Sequence, residues 1–181
     1  MTTLRATLSL VDSAVLAPVY RDPHGDLRLV FIRRTPRGIH GGQIAFPGGR
    51  REPEDATLLH TALREADEEI GLPPNHVSVL AELPVIETLA TGFRVAPFLG
   101  HLPGAPPTWR RQETEIEEIL EVRVDDLLRP EAHGVEDWQL PSWSAPRPIP
   151  FYRIGPHKLW GATYKIVEPL LPRLTAGEWP I

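Results

Sequence analysis

Three glutamates stand close together in the middle of the chain, at a spacing that suits one face of a helix. Glu65, Glu68 and Glu69 occupy positions i, i+3 and i+4, and at 100° per residue they fall within an arc of roughly 100°. Carboxylates at this spacing can converge on one divalent cation, because hard cations prefer oxygen ligands. A solvated acidic face is the alternative, since repulsion at this spacing costs only roughly 0.2–0.5 kcal/mol per pair.

The segment before these glutamates suits the binding of an anion. Gly48 and Gly49 follow a short apolar run, and glycines let a backbone approach a ligand closely with its N–H groups exposed. Five arginines with guanidinium groups that match phosphate oxygens surround this pair: Arg33, Arg34, Arg37, Arg50 and Arg51. Surface arginines are common, so an ordinary surface position stays open for each. Together with the acidic helix, the segment predicts a site for a metal-bound diphosphate.

Regular elements on both sides must hold this segment in place. Apolar runs at Ala14–Tyr20 and Leu27–Arg33 are separated by a turn sequence and predict a hairpin. A helix is expected from about Ala56 to Ile70, with Asp55 as its N-cap and Gly71 at its C-terminal end.

The rest of the chain predicts more strands and one further long helix. Strands are expected at Ile44–Pro47, Val77–Leu83, Phe93–Leu99 and Glu118–Val124, and as a last hairpin at Phe151–Ile154 and Lys158–Trp160. A closing helix is expected at Thr163–Leu171, stopped by Pro172. This order predicts an α/β (α+β) fold in which helices cover a mixed sheet, an α/β/α layering, with residues 1–181 forming one domain.

The composition excludes several functional classes. The 181 residues include no cysteine and carry a formal net charge of −5, which excludes thiolate metal sites and cysteine nucleophiles and disfavours a sequence-independent nucleic-acid binder. The chain has no Gly-x-Ser-x-Gly or His-Glu-x-x-His motif of serine or zinc hydrolases. Neither an apolar run of membrane-spanning length nor a signal-peptide pattern is present. We therefore expect a cytoplasmic protein without nucleic-acid or membrane partners.

Residues 49–72 resemble the Nudix box, the pattern G-x5-E-x7-R-E-U-x-E-E-x-G-U of the Nudix family, in which U is a bulky aliphatic residue. Three pairs match its C-terminal half: Arg64-Glu65, Glu68-Glu69 and Gly71-Leu72. Ala66 is a small residue at an aliphatic position, and Asp55 takes the place of the first glutamate, one residue farther from Arg64 than in the family pattern. The resemblance implies the α/β/α sandwich of that family, with a mixed sheet.

The extra residue and the upstream segment resemble the branch of the family that hydrolyses coenzyme A. That branch typically reads R-S, then H-x-G-Q, then F-P-G-G, and the corresponding residues are Arg34-Thr35, His40, Gly42-Gln43 and Phe46-Pro47-Gly48-Gly49. The gap between Arg34 and Gln43 is one residue shorter than in the branch. The segment Leu159–Thr163 also resembles it.

These resemblances imply a role for each matching residue. Glu65 and Glu69 would be the principal ligands of Mg²⁺ or Mn²⁺, with Glu68 assisting, and Arg64 would orient a glutamate of this group. Residues expected to contact the substrate are Arg33, Arg34, Arg37, His40, Gln43, Gly48, Gly49 and Arg50. Some family members use a distant general base, and Glu115 or Glu118 could serve here.

The sequence thus predicts a metal-dependent hydrolase that cleaves the diphosphate of coenzyme A or a derivative into 4′-phosphopantetheine, or its acyl form, and adenosine 3′,5′-bisphosphate. The alternative is a Nudix hydrolase of another nucleoside diphosphate derivative, such as ADP-ribose or a dinucleoside polyphosphate, because the box reports the reaction and not the attached group. A non-catalytic nucleotide sensor would be expected to lose the metal glutamates, and all three are present. The expected partner is a small-molecule nucleotide, and the resemblance is compatible with a homodimer.

Overall fold

The computed structural model describes residues 10–37, 41–88, 91–104, 106–139 and 143–181, which form two sheets and three helices. The larger sheet contains β1 (Val11–Arg21), β2 (Leu27–Arg34), β3 (Ile44–Ala45), β4 (Gly48–Arg50), β5 (Ser78–Glu82), β6 (Ile86–Thr88), β7 (Phe93–His101) and β8 (Ile116–Arg123). The smaller sheet contains β9 (His133–Trp138), β10 (Arg147–Ile154) and β11 (His157–Trp160). The helices are α1 (Leu58–Ile70), α2 (Val124–Leu128) and α3 (Gly161–Thr175).

The larger sheet is mixed, as the sequence predicts. Its central path runs β3-β2-β1-β7-β5, with β1 and β7 parallel and the other pairs antiparallel. Both predicted hairpins are confirmed, because β1 pairs with β2 and β10 pairs with β11. The short strand β4 adds to β1, with Gly48 opposite Val15, and this pairing holds the glycine pair against the centre of the sheet.

Alternating side chains on β1 and β2 divide the core into two layers. Ala14, Leu16, Val30 and Ile32 belong to a buried cluster with residues of α1, and the cluster on the other face joins Val19, Leu29 and Phe31 to residues of α3. Strand side chains point alternately to the two faces of a sheet, so each face receives its own helix. The α/β/α layering is therefore confirmed.

Helix α1 begins later than the sequence suggests, and Asp55 is not its N-cap. Thr57 holds that position, and its hydroxyl accepts a hydrogen bond from the backbone N–H of His60. The carboxylate of Asp55 accepts instead from the N–H of Glu52 and from Arg64, because a buried carboxylate forms stronger hydrogen bonds with a charged guanidinium group than with a backbone N–H at a helix cap. The end at Gly71 is confirmed, since its φ of 68° is a left-handed conformation that glycine adopts readily.

Helix α3 continues beyond the expected stop at Pro172 and ends at Thr175. Pro169 and Pro172 both lie on its exposed face, as do the residues four positions earlier, so carbonyls left without a helical donor can bind water. The opposite face is buried in the core through Ile166, Val167, Leu170, Leu171 and Leu174. Tertiary packing therefore overrides the local cost of the prolines. Within the ranges that the structure describes, no helix is both long enough and apolar enough to span a membrane.

Candidate active site

A cavity of about 850 Å³ is lined by residues from both sheets and from the first turns of α3. Its volume lies within the range of roughly 300–1,000 Å³ that small-molecule sites occupy. Charged and polar lining residues come from β2, β4, α1 and nearby loops: Arg34, Gln43, Gly48, Gly49, Arg50, Glu65 and Glu115. Apolar lining residues come from β7, from the smaller sheet and from the segment between β9 and β10: Phe93, Val95, Trp143, Ile149, Pro150 and Trp160. One cavity therefore joins a charged region to an apolar one.

Glu69 does not line this cavity but is buried beside Gly48, which does, and a hydrogen bond between the two residues joins α1 to β4. Its side chain is only 1% exposed. One carboxylate oxygen accepts a hydrogen bond from the N–H of Gly48 at 2.9 Å, and the other accepts from Arg34 Nη2 at 3.0 Å. Burial raises the pKa of Glu69 to about 8, while Arg34 and the Gly48 N–H oppose this rise and the charges of Glu65 and Glu115 add to it.

Glu65 lies at the surface of the cavity, directly against Gly49. A Cβ atom added to Gly49 would stand 2.3 Å from Glu65 Oε1 and 2.5 Å from its Cδ, so only glycine leaves room for the carboxylate in this position. Burial raises the pKa of Glu65, the adjacent Arg64 counteracts this rise, and the charge of Glu68 adds to it. The close approach of Gly49 thus decides where the Glu65 carboxylate lies.

Replacing Gly49 with alanine is expected to displace the Glu65 carboxylate and lower kcat about fiftyfold, since a misplacement of about 1 Å can cost a factor of 10². The new methyl group meets the flexible end of a side chain, so the melting temperature should change by less than about 3 °C. Gly92→Ala is the control, because Gly92 does not line the cavity and a Cβ atom there meets no atom within 4 Å. Its φ of 74° disfavours alanine, so this control is expected to keep kcat rather than the full melting temperature. Unchanged kcat in Gly49→Ala, measured beside its melting curve, would contradict the placement of Glu65.

Arg64 binds three carboxylates and so positions the acidic side chains of α1. It donates to Asp55 from Nε at 3.0 Å and from Nη2 at 2.9 Å. Its Nη1 donates to Glu65 Oε1 at 3.1 Å and lies 3.3 Å from a carboxylate oxygen of Glu68. The side chain of Glu68 is 53% exposed, and neither Glu68 nor Arg64 lines the cavity. This geometry suits an orienting role for Arg64.

The donor set of α1 fits a hard divalent cation. Glu65, Glu68 and Glu69 offer carboxylate oxygens, which Mg²⁺ and Mn²⁺ prefer. Repulsion from a neighbouring glutamate adds to the raised pKa of both Glu65 and Glu69, and a bound cation would remove it. Among the described residues, no three acidic or histidine side chains are already gathered into a metal site. Arg64 binds Glu65 and Glu68, and Arg34 binds Glu69. Metal binding by these glutamates stays a prediction.

Only some of the residues expected to contact the substrate line the cavity. Arg34, Gln43, Gly48, Gly49 and Arg50 line the cavity. Arg33 does not, because it pairs with Glu117 at 2.7 Å and with Glu118 at 3.2 Å. Arg37 is exposed and also lies outside the lining, and His40 falls outside the described residues. The structure therefore favours Arg34 and Arg50 over Arg33 and Arg37 as phosphate contacts.

The two candidates for a general base also differ in position. Glu115 lines the cavity and is exposed. Glu118 is engaged with Arg33, and one of its carboxylate oxygens lies 3.6 Å from Nε2 of His157. Glu118 does not line the cavity. Of the two, Glu115 is the one that a substrate in this cavity would be able to contact.

Sequence reasoning missed the part of the cavity that the last forty residues supply. Trp160 lines it and packs edge-on against Trp138 at 5.0 Å between ring centroids. Ile149 and Thr163 line it as well. The resemblance at Leu159–Thr163 was the available signal, because apolar residues in a hairpin and in a helix otherwise suggest ordinary core packing.

A family model and a curated relative both match most of this chain. The NUDIX domain model matches residues 11–144. A curated relative from Salmonella paratyphi B, described as "Uncharacterized Nudix hydrolase NudL", is 37% identical over 164 residues, which span 88% of this chain and 75% of the relative.

Two solved structures share the fold at low sequence identity. The C. elegans Ap4A hydrolase in a binary complex has a TM-score of 0.54 and 17% identity, over 65% of this chain and 82% of that chain. The NUDIX domain of Shewanella oneidensis NrtR, complexed with ADP-ribose, has a TM-score of 0.52 and 16% identity, over 66% of this chain and 76% of that chain. At such identities the likeness concerns the fold alone.

Proposed function

This chain belongs to the Nudix family, and from that premise we propose that it hydrolyses the diphosphate linkage of coenzyme A or a coenzyme A derivative. The products are 4′-phosphopantetheine, or its acyl form, and adenosine 3′,5′-bisphosphate. The hydrolase activity on a pyrophosphate bond follows from the family. The substrate is the proposal, and so are the identity of the metal as Mg²⁺ or Mn²⁺ and a cytoplasmic location.

The observation that carries this proposal is the joint charged and apolar lining of a single cavity. Coenzyme A combines a charged nucleotide with a long pantetheine arm, whose methyl and methylene groups can pack on apolar surface beside the phosphates. Arg34 and Arg50 offer guanidinium groups to the diphosphate, and Trp143, Ile149 and Trp160 line the same cavity with apolar surface. The last two belong to β10 and β11, so we also propose that residues 1–181 form one domain.

Each side chain has a part in the proposed chemistry. Glu65 and Glu69, with Glu68 assisting, would hold a divalent ion, which would supply Lewis acidity to the diphosphate and to the attacking water. Arg34 and Arg50 bind phosphate oxygens, and Arg64 holds Glu65 in place. Glu115 accepts a proton from the water that attacks phosphorus. The P–O bond to the leaving phosphate breaks as the new P–O bond forms, so both products carry a terminal phosphate.

The direct test is to incubate the protein with coenzyme A and Mg²⁺ or Mn²⁺ and to identify the products by mass. We expect 4′-phosphopantetheine and adenosine 3′,5′-bisphosphate in equal amounts, with no cleavage when EDTA replaces the metal. ADP-ribose and Ap4A are the comparison substrates. Cleavage of either of them without cleavage of coenzyme A would contradict the proposal.

A second candidate is the hydrolysis of a nucleoside diphosphate derivative that carries another sugar or nucleoside. It is supported by the shared fold with an Ap4A hydrolase and with a domain complexed with ADP-ribose. The indole rings of Trp143 and Trp160, which line the cavity, would then stack on a second base. The same substrate panel separates the two candidates.

Glu115→Gln is expected to lower kcat about a hundredfold, because a general base typically contributes a factor of 10²–10⁴. Glu118→Gln should change kcat less than threefold, since Glu118 pairs with Arg33 and does not line the cavity. Steady-state kcat with coenzyme A and Mg²⁺ measures both effects. A large effect of Glu118→Gln with normal activity in Glu115→Gln would assign the base the other way.

A further inference from the structure

Helix α3 begins at the cavity wall without a capping side chain. Its N-cap residue, Trp160, makes no side-chain capping bond, and the first turn contains no acidic residue. Gly161, Ala162 and Thr163 all line the cavity, and Gly161 has a left-handed φ of 67°. The first N–H groups of a helix have no intrahelical acceptor and carry a partial positive charge. The start of this fifteen-residue helix therefore lies where it can meet an anion.

Thr163 provides a second and independent observation. The residue is only 8% exposed and lines the cavity. Its hydroxyl forms no hydrogen bond with any residue that the structure describes. Among the described residues, Nε of Arg123 is the only fully buried side-chain polar atom without a partner, so the Thr163 hydroxyl keeps accessible surface and can bind a ligand oxygen in the cavity. Because threonine can donate through its hydroxyl, it suits the same kind of ligand as the helix N-terminus.

Lys165 completes a set of donors on one turn of the helix. It lines the cavity as well and forms no ion pair within the described ranges, in contrast to Arg34, which is bound to Glu69. The carboxylates in the lining, Glu65 and Glu115, come from other elements of the fold. Backbone N–H groups, a hydroxyl and an ammonium group together match the charge and the several acceptor oxygens of a phosphate monoester.

We propose that the first turn of α3 binds a phosphomonoester group of the substrate, distinct from the diphosphate that is cleaved. The inference rests on the proposed function for the identity of the ligand and deepens it, because it names the substrate class: a nucleoside diphosphate derivative with an additional phosphate. The 3′-phosphate of coenzyme A is such a group, and ADP-ribose has none. Thr163 and Lys165 are thus specificity-determining residues.

Thr163→Val tests this inference with Thr175→Val as a matched control. Valine keeps the shape of threonine and removes its hydroxyl, and Thr175 lies in the last turn of the same helix, outside the cavity. Dissociation constants for adenosine 3′,5′-bisphosphate and adenosine 5′-monophosphate are measured by calorimetry in EDTA, so that no hydrolysis occurs. We expect the unchanged protein and Thr175→Val to prefer the bisphosphate, and Thr163→Val or Lys165→Met to lose about tenfold of that preference.

Three results would overturn the inference. The first is an unchanged preference in Thr163→Val, and the second is equal or undetectable binding of the two nucleotides by the unchanged protein. The third is inorganic phosphate binding as tightly as the bisphosphate, because the site would then serve the free ion. A purely structural role for Thr163 would instead lower the melting temperature of Thr163→Val, which we expect to stay constant or to rise, since no hydrogen bond is lost.

The same experiment separates this inference from the proposed function. Hydrolysis of coenzyme A is measured beside binding, together with hydrolysis of dephospho-coenzyme A, which lacks the 3′-phosphate. Absence of coenzyme A cleavage with a retained preference for the bisphosphate refutes the proposed substrate and keeps the phosphomonoester site. Cleavage of both compounds with equal KM in the unchanged protein and in Thr163→Val refutes the site and keeps the hydrolase.

Discussion

Glu69→Gln is expected to lower kcat about a thousandfold, the largest effect on activity among the predictions. A metal ligand contributes several kcal/mol to the stabilisation of the transition state, and about 4 kcal/mol corresponds to a factor of roughly 10³. A glutamine oxygen can still accept the hydrogen bond that Gly48 donates to Glu69 at 2.9 Å. The variant loses the charge that faces Arg34, but burial raises the pKa of Glu69 to about 8, so the charged form adds little stability at neutral pH when no metal is bound. The melting temperature without metal should therefore stay within about 3 °C of the unchanged protein, and calorimetric binding of Mn²⁺ should be strongly weakened.

The matched control for this variant is Glu82→Gln, because Glu82 lies in β5, is exposed and does not line the cavity. It should leave kcat, the melting temperature and Mn²⁺ binding unchanged. Full activity of Glu69→Gln would show that the metal assignment is wrong. A large drop in its melting temperature would instead show that Glu69 serves mainly to join α1 to β4.

Asp55→Asn is expected to lower the free energy of unfolding by about 3 kcal/mol at neutral pH. The side chain of Asp55 is 1% exposed, and Arg64 donates to both of its oxygens at 3.0 and 2.9 Å. Asparagine keeps only one accepting oxygen, so at least one charge-assisted hydrogen bond from Arg64, worth roughly 1.5–3 kcal/mol, is lost together with the charge attraction, although Glu65 and Glu68 still bind Arg64. Denaturant unfolding measures this loss, and the same substitution at the exposed Asp137 should cost less than about 0.5 kcal/mol.

The loss of unfolding free energy in Asp55→Asn should also depend on pH and become smaller in acid. The hydrogen bonds from Arg64 hold the pKa of Asp55 well below its ordinary value of 3.8, so the unfolded chain takes up this proton first on acidification. The stability that Asp55 contributes is complete above its ordinary pKa and is lost as the pH falls towards the pKa of the folded state. The difference between the unchanged protein and Asp55→Asn should therefore shrink below pH 4. A difference independent of pH would contradict the ion pair with Arg64.

Local patterns in the chain were sufficient to predict α1, the glycine pair before it and the layering of the fold. The positions of Glu65, Glu69 and the apolar residues on the neighbouring face of α1 follow from helical periodicity, which involves neighbours along the chain and a fixed rotation per residue. The glycine at the end of α1 follows for the same reason, because a left-handed residue at a helix end is a local requirement. The family resemblance then supplied the reaction.

Contacts between segments that are distant in the sequence determine the geometry of the candidate site, which local patterns do not predict. Pairing of β4 with β1 places Gly49 against Glu65, and an ion pair takes Asp55 away from the helix cap. The sequence treats Glu115 and Glu118 as equivalent, and Arg34 and Arg33 likewise, until β2 and β8 pair and Arg33 meets Glu118. Much of the apolar lining, and the start of α3, come from residues after 142, which meet Phe93 and Val95 of β7 only in the folded chain. Helical spacing is a short-range property, whereas the partner of a buried charge depends on strands that meet only after the chain has folded.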